Sequence, residues 1–268
     1  KFILENKMEK IKISIVTICY NSESTIEDTI KSVLSQNYPN LDYVIIDGAS
    51  TDDTMNIVNR YRDKFSVVVS EKDGGISDAF NKGIANSSGE VICFMNSDDV
   101  MLPGALDAIA QAYDGKHDIY CGNVLLENPN TGFKCREVPS VNFPIVPVFC
   151  HVAHQGMFIT KNAYNHFGGY DTNVRYPMDL DFLMRASHKG ATFKHVDYDI
   201  ACFRAGGTTS NNIFKKKKDY LYIVRKNGGN AIQAYYFYYF LVMTQFVKRI
   251  LNIFGENFSQ KLRYKYSK

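Results

Sequence analysis

Apolar residues in the first hundred positions form four short runs, and the segment after each run has the spacing of an amphipathic helix. The runs are nearly continuous and rich in β-branched residues, which is typical of strands buried on both faces. They cover residues 11–18, 43–46, 65–69 and 91–95. The helical segments cover residues 24–36, 57–61, 76–84 and 102–113. Ser24 and Glu27 have capping-box spacing at the start of the first helix. This alternation predicts an α/β fold with a mostly parallel central sheet flanked by helices.

The second half of the chain has a less regular pattern. Strands are predicted at residues 118–126, 134–138, 151–159, 192–196 and 199–203. Short helices are predicted at residues 162–167 and 178–186. Two prolines between residues 143 and 149 indicate an irregular loop, and a further loop is predicted at 206–210.

Polar clusters follow each of the first four predicted strands. They are Tyr20-Asn21, Asp47-Gly48, Asp73-Gly74-Gly75 and Ser97-Asp98-Asp99. Because open α/β sheets bind ligands at the carboxyl ends of their strands, these clusters predict a crevice of nucleotide size. Neither a GxGxxG nor a GxxxxGK[ST] sequence is present in the expected places, so we expect phosphates to be bound through a metal rather than a glycine-rich loop.

The adjacent carboxylates Asp98 and Asp99 are the strongest single feature of this pattern. Two neighbouring acids repel each other, and Mg²⁺ or Mn²⁺ is the usual compensation because these ions prefer carboxylate and phosphate oxygens. The alternative is that the pair caps the helix predicted at residues 102–113.

Charge is distributed unevenly along the chain. Residues 1–212 have a net charge of −7, whereas residues 213–268 have a net charge of +10. Such asymmetry favours an anionic partner for the C-terminal segment. We expect a membrane surface and no nucleic acid, because the acidic body would repel a phosphate backbone.

The C-terminal segment predicts a helix at residues 231–247 that is rich in tyrosine, a residue favoured at membrane interfaces. It is shorter than the roughly 20 apolar residues that span a bilayer. We expect membrane-surface contact through residues 215–250, with packing against the protein body or a second subunit of a homodimer as the alternatives.

Cysteine usage indicates a reducing compartment. The six cysteines form no CxxC pair, so we expect free thiols rather than disulfides or a zinc site. Residues 1–10 lack the apolar stretch of a signal peptide and are treated as an N-terminal extension, with Met8 as a candidate start. We expect a cytoplasmic protein that is peripheral on the inner face of the membrane.

Seven segments together resemble the family 2 glycosyltransferases of GT-A fold. They are residues 20–21, 47–54, 78–83, 97–99, 154–156, 167–171 and 179–185. The resemblance covers about residues 11–210, divided into a nucleotide-binding half (11–102) and an acceptor half (103–210). Residues 211–268 have no equivalent and form a basic, aromatic, helical tail.

The resemblance implies an inverting, metal-dependent transferase that moves a sugar from a nucleotide-diphosphate sugar, with a UDP-sugar favoured. The acceptor would be a hydroxyl of a glycan or lipid-linked molecule in surface polysaccharide biosynthesis. The resemblance assigns the metal, Mn²⁺ or Mg²⁺, to Asp99 and the catalytic base to Asp179. It assigns nucleotide contacts to Tyr20, Asp47, Asp73, Lys82, Ser97 and Asp98. The acceptor or diphosphate pocket would include His154, Gln155 and Arg204.

Two positions depart from the family pattern. Ser97 stands where a further carboxylate can occur in the metal-binding motif, and Met178 stands where the family often has an acid. On the residues alone, Asp179 could equally cap the helix after Pro177, and His154 could be a core histidine. Arg204 with the glycines at 206 and 207 could form a loop that closes over the donor, or a surface turn.

Two other functions stay open at this point. A nucleotidyltransferase also places carboxylates and a metal at strand ends, although it usually has a glycine-rich basic loop after the first strand. A non-catalytic nucleotide-sugar-binding module of the same fold is the second alternative.

Overall fold

The first half of the chain folds as alternating strands and helices. The computed structural model describes residues 10–128, 132–140, 143–147, 153–204, 213–253 and 255, without the side chains of Arg204 and Asn252. The strands are β1 (Ile13–Cys19), β2 (Leu41–Asp47), β3 (Val67–Ser70) and β4 (Val91–Asn96). The helices between them are α1 (Ile26–Leu34), α2 (Thr54–Asn59) and α3 (Ile76–Asn86). All four strands are parallel, as predicted.

The second half adds five strands and five helices among the described residues. The strands are β5 (Val100–Met101), β6 (Ile119–Asn128), β7 (Phe133–Glu137), β8 (Met157–Thr160) and β9 (Phe193–Arg204). The helices are α4 (Ala105–Ala112), α5 (Lys161–Phe167), α6 (Met178–His188), α7 (Lys217–Lys226) and α8 (Ala231–Ile253). The strands form one sheet in the order β3-β2-β1-β4-β8-β6-β9-β5, with β7 paired to β6.

Both faces of the sheet are covered, which explains why its central strands are almost entirely apolar. Alternate residues of β1 enter two separate cores: Ile13 and Ile15 pack on the side of α1 and α4, and Val16 packs on the side of α3, α5 and α6. Helix α3 approaches the sheet closely at Gly83, where a Cβ atom would lie 2.7 Å from Val16 Cγ1. The close contact fixes the position of α3, whose first turn borders the carboxyl ends of β1 and β2.

Several local predictions are wrong. The N-cap of α1 is Thr25, so the capping box of Ser24 and Glu27 does not form; Glu27 instead accepts a hydrogen bond from Tyr61 Oη at 2.7 Å. The N-cap of α4 is Gly104, so Asp98 and Asp99 do not cap it.

The predicted strands in the second half also differ from the observed ones. Residues 192–196 and 199–203 belong to one strand, β9, which has a register irregularity opposite residues 122–124. Residues 154–156 form a 3₁₀ turn before β8 rather than part of the strand. The remaining predicted loop at 206–210 and Cys150 lie outside the described residues, and the five described cysteines are free thiols.

The tail packs against the body of the protein. Ile223 of α7 is fully buried in the core that contains α6. Val224 of α7 and Phe237 of α8 form a smaller apolar cluster that Leu180 of α6 joins. The first half of the tail is therefore part of the folded body, and no helix in the described residues is long and apolar enough to cross a membrane.

Candidate functional site

Tyr20 and Asp73 lie close to Gly48 where β1 and β2 end, and we call the surface of these three residues the recess. A Cβ atom at Gly48 would lie 2.8 Å from Asp73 Oδ2 and 3.4 Å from Tyr20 Cδ2, so only a glycine leaves room for these two side chains. The Tyr20 side chain is 62% exposed although it is large and aromatic. An exposed ring beside a carboxylate is suited to stack on a planar base and accept hydrogen bonds from its edge.

Asp47 lies at the end of β2 and is fully buried. Its carboxylate accepts hydrogen bonds from the hydroxyls of Ser50 and Ser70, the second at 2.6 Å, and from the Ser50 backbone N–H. Asp47 therefore holds the turn that carries Gly48.

Lys82 of α3 faces the loop that follows β3. Its ammonium group lies 2.8 Å from a carboxylate oxygen of Glu71 and 3.6 Å from one of Asp78. Asp78 in turn accepts a hydrogen bond from Gly74 N–H at 2.9 Å. These contacts hold the loop that presents Asp73, so in this structure Lys82 supports the recess rather than facing its centre.

The carboxyl end of β4 carries the polar residues that the sequence emphasised. Ser97 is buried and donates a hydrogen bond to Ser22 Oγ at 2.7 Å, which ties this strand end to the loop after β1. Asp98 is half-buried and has no hydrogen-bond partner within the part of the chain that the structure describes. Its carboxylate is the one that remains available to a ligand.

Asp99, the neighbouring carboxylate, points into the protein and is fully buried. Its Oδ2 accepts a hydrogen bond from Gln155 Nε2 at 2.9 Å, whereas its Oδ1 has no partner. Burial, reinforced by the negative charge of Asp98, raises the pKa of the Asp99 carboxyl to about 7. The two adjacent acids thus differ sharply in environment.

His154 connects the two halves of the site. Its Nε2 lies 3.0 Å from Asn96 Nδ2 at the end of β4, and its ring contacts the edge of Phe80. Burial lowers the pKa of His154, and the nearby charges of Asp179 and Asp98 oppose that effect. A strand-end carboxylate and a helix carboxylate therefore lie close enough to this imidazole to influence its charge.

Asp179 lies in the first turn of α6 and is half-buried. The N-cap of this helix is Pro177, and the Asp179 carboxylate accepts a hydrogen bond from Leu180 N–H at 2.8 Å, so it does not act as the helix cap. Asp181, two residues later, is fully buried and paired with Lys226 at 3.0 Å. Of these two acids, only Asp179 lies outside a buried ion pair.

Two residues of α7 and the segment before it also border Asp179, and sequence analysis missed both. Burial, reinforced by the charges of Asp179 and Asp219, raises the pKa of Tyr220 to about 12. Burial lowers the pKa of Lys216, and the charge of Asp179 opposes that effect. Lys216 Nζ also lies 5.3 Å from the centre of the Tyr176 ring. No motif marks these residues, because the four-lysine run resembles an exposed basic surface.

A divalent cation can be accommodated only with help from a ligand. Among the described residues, no group of three or more His, Cys, Asp or Glu side chains is arranged to hold a metal ion. The half-buried Asp98 carboxylate would offer one or two oxygens, and the unpaired Oδ1 of the neighbouring Asp99 is buried. That donor set fits Mg²⁺ or Mn²⁺ bound mainly by substrate phosphates, as is usual for such ions.

One predicted site residue cannot be placed completely. The backbone of Arg204 pairs with Glu127 at the end of β9, but its side chain and the loop at 205–212 lie outside the described residues.

Comparison with known sequences decides the family. Residues 14–160, more than half of the 268-residue chain, match the profile described as Glycosyl transferase family 2. The chain belongs to this family. The resemblance found in the sequence is thereby confirmed, and the protein is a glycosyltransferase.

Relatives of this family 2 glycosyltransferase occur in several bacteria. An uncharacterised glycosyltransferase of Mycobacterium tuberculosis is 29% identical over 187 residues, which is 65% of this chain and 68% of the relative. The putative glycosyltransferase EpsE of Bacillus subtilis is 27% identical over 191 residues, covering 67% and 68% of the two chains. A putative teichuronic acid biosynthesis glycosyltransferase, TuaG of Bacillus subtilis, is 37% identical over 90 residues, covering 32% and 36%.

Solved structures confirm the GT-A fold. TarS of S. aureus, residues 1–349, matches with a TM-score of 0.62 and 18% identity over 87% of this chain and 71% of that one. The mannosyltransferase PcManGT of Pyrobaculum calidifontis, in complex with GDP-Man and Mn²⁺, matches with a TM-score of 0.62 and 14% identity over 95% and 74%. TarS has also been solved in complex with UDP-GlcNAc, and that structure matches with a TM-score of 0.61 and 19% identity over 84% and 69%.

Proposed function

We propose that this glycosyltransferase is metal-dependent and inverting, and that it moves a sugar from a nucleotide-diphosphate sugar to a hydroxyl of a glycan or lipid-linked acceptor. The observation that carries the proposal is the place of His154: its Nε2 lies 3.0 Å from Asn96 Nδ2 at the end of β4, and the charges of Asp98, just after β4, and Asp179 of α6 both act on its imidazole. Asp179 is half-buried, and within the described residues its carboxylate makes one hydrogen bond, which it accepts from the neighbouring Leu180 N–H.

Tyr20, Gly48 and Asp73 form the proposed base-binding recess. Tyr20 would stack on the base and Asp73 would face its polar edge, which favours a uracil-like base and hence a UDP-sugar. The buried Asp47, predicted as a nucleotide contact, would act indirectly by holding the turn that carries Gly48. Ser97 and Lys82 keep the strand ends and the loop after β3 in place. The donor complexes of TarS with UDP-GlcNAc and of PcManGT with GDP-Man support a donor of this chemical class.

The sequence prediction placed the metal on Asp99 and the ribose on Asp98. Because Asp99 is buried and held by Gln155, we propose that Asp98 offers the first oxygen to Mn²⁺ or Mg²⁺ and that Asp99 supports it from behind. When bound, the cation would neutralise the charge that develops on the leaving diphosphate.

Asp179 is the proposed general base. A sugar hydroxyl is a poor nucleophile, and a carboxylate that removes its proton during attack typically accelerates such a step by about 10² to 10⁴. A single displacement inverts the anomeric carbon. The charge of this carboxylate acts on His154, Lys216 and Tyr220. We propose that these three residues form the wall of the acceptor pocket together with Gln155 and Arg204.

The relative TuaG suggests a pathway class for the reaction. TuaG is described as a teichuronic acid biosynthesis enzyme. We propose that the present enzyme likewise contributes to a surface polysaccharide and acts on the cytoplasmic side of the membrane.

Asp179→Asn tests this proposal. We expect donor affinity, measured by calorimetry with Mn²⁺ and a panel of nucleotide sugars, to stay within about twofold, while nucleoside diphosphate release in the presence of a lipid extract falls by about 10² to 10⁴. Asp197→Asn, at a well-exposed carboxylate on β9, is the matched control and should retain activity.

Other results would contradict the assignment. If Asp179→Asn turned over at the wild-type rate, Asp179 could not be the general base. Release of pyrophosphate by the wild type would instead identify a nucleotidyltransferase.

A further inference from the structure

Helix α8 has two apolar faces on opposite sides. The inner face packs on the body through Ala234, Phe237 and Tyr238, which are buried, and through Leu241. The outer face carries seven large apolar residues at alternating intervals of four and three, and each is between 42% and 81% exposed. We call this set the outer stripe of α8: Ile232, Tyr236, Tyr239, Met243, Phe246, Ile250 and Ile253.

The outer stripe is too large to be an ordinary solvated surface. Helix residues at this spacing share one side, so the stripe is continuous over roughly 30 Å of helix. Its three aromatic residues are each more than half exposed, and an aromatic side chain has about 150–250 Å² of surface. With the four aliphatic residues the stripe exposes on the order of several hundred Å², which in a monomeric protein usually marks an interaction site.

The charge around the stripe indicates the kind of partner. Helix α8 contains Lys248 and Arg249 and no acidic residue, and residues 213–268 have a net charge of +10. In the second half of the helix, Thr244, Gln245 and Lys248 lie on the side opposite the stripe. An apolar side rich in aromatic residues, a polar side and basic surroundings are typical of a helix that lies on an anionic lipid surface.

A second copy of the chain fits the stripe less well. It would bring together two segments that are each strongly basic, and α8 has no acidic side chain with which to form an ion pair across a helix dimer. A spanning orientation is also disfavoured, because no helix among the described residues is long and apolar enough to cross a bilayer.

We propose that α8 lies in the plane of an anionic membrane surface, with its outer stripe inserted between the lipid headgroups. The inner face holds this anchor rigidly to the enzyme, because Phe237 packs in the same cluster as Leu180, the neighbour of Asp179. Lys217 adds a cation–π contact to Tyr235 and Tyr238, at 5.4 Å from each ring centre. If Asp179 is the base of the proposed transfer, the anchor fixes the distance between that residue and the lipid surface.

Vesicle flotation of the full chain tests the proposal, without donor or acceptor, so that the result is independent of transfer activity. Phe246→Asp/Ile250→Asp places two charges on the stripe, in the part of α8 beyond the inner packing. Thr244→Asp/Gln245→Asp places the same two charges on the opposite side of the same helix turn. The vesicles are phosphatidylcholine alone, and phosphatidylcholine mixed equally with phosphatidylglycerol.

We expect the wild type and Thr244→Asp/Gln245→Asp to bind the anionic vesicles, and Phe246→Asp/Ile250→Asp to bind at least about tenfold more weakly. Binding should weaken as salt is raised. Equal loss in both double variants would overturn the proposal, because it would show a charge effect without a specific face. Absence of wild-type binding would also overturn it. A different outcome would assign the stripe to a second copy of the chain. In that case the wild type would not bind vesicles, and light scattering would show a wild-type dimer that Phe246→Asp/Ile250→Asp converts to a monomer.

Discussion

The buried Asp99 carboxyl should make the stability of this protein fall as the pH rises from about 4 to 7. Its pKa is raised from an ordinary 3.8 to about 7, mainly by burial. Below pH 4 both the folded and unfolded states carry the proton. Between the two pKa values the unfolded chain releases its proton while the folded protein keeps it, so stability is lost over this interval. Above about pH 7 the loss is complete.

The magnitude follows from the same pKa values. Each pH unit between 3.8 and about 7 costs the folded state about 1.4 kcal/mol, so the full loss is roughly 4 kcal/mol. Asp99→Asn cannot ionise, and Gln155 Nε2 can still donate to its amide oxygen. The variant should therefore lack this slope. Its amide NH₂ replaces the unpaired Oδ1, which adds a pH-independent cost of about 1–3 kcal/mol.

Urea unfolding followed by far-ultraviolet circular dichroism at pH 5, 6, 7 and 8, with divalent cations chelated, measures the effect. Burial lowers the pKa of His154, which makes stability rise with pH up to about 6.5 in both proteins, so the difference between wild type and variant isolates Asp99. Asp98→Asn is the control. Asp99 stays buried in this variant, so stability should still fall with rising pH, but the fall should end at a lower pH because the charge of Asp98 no longer raises the pKa of Asp99. Parallel profiles for wild type and Asp99→Asn between pH 5 and 7 would refute the reasoning.

Two further predictions concern the recess and the tail. Tyr20→Ala should weaken nucleotide binding by roughly tenfold to a hundredfold, because stacking on an aromatic ring contributes about 1–3 kcal/mol per base, whereas Tyr20→Phe should retain the affinity. Calorimetry with uridine nucleotides measures both variants. Unchanged affinity in the alanine variant would show that Tyr20 is not part of the nucleotide site. Lys226→Met should destabilise the protein by about 3 kcal/mol in urea unfolding, because it removes the closer cationic partner of the fully buried Asp181 and leaves only Arg185, at 3.7 Å. The control Lys64→Met, at an exposed ion pair, should cost less than about 1 kcal/mol. Equal losses of stability in the two variants would contradict the role of burial.

The sequence was sufficient to predict the first half of the fold because its information is local. Each strand from β1 to β4 is a mostly apolar run, and each intervening helix has its own periodicity. Strand β5 has only two residues and forms because it pairs with β9, so no local sequence pattern predicts it. The same dependence on a distant partner explains why β9 appeared as two strands.

The candidate site shows the same division. Tyr20, Gly48 and Asp73 could be predicted as neighbours because they follow parallel strands. The different environments of Asp98 and Asp99 could not, because Gln155, which turns one carboxylate inward, lies 56 residues along the chain. The sequence identifies a pair of acids, whereas tertiary packing decides which of them meets the solvent.

The burial of Ile223 beneath α6 changes how the C-terminal region can be studied. A protein shortened at residue 212 would leave a hole in the second core and remove the closer cationic partner of Asp181, so it would lose catalytic integrity together with any lipid affinity. Deletion therefore confounds two properties that substitutions on the outward side of the last helix can separate. The same link between core packing and surface limits which substitutions this region tolerates: side chains can change freely only at positions that do not pack into the enzyme's interior.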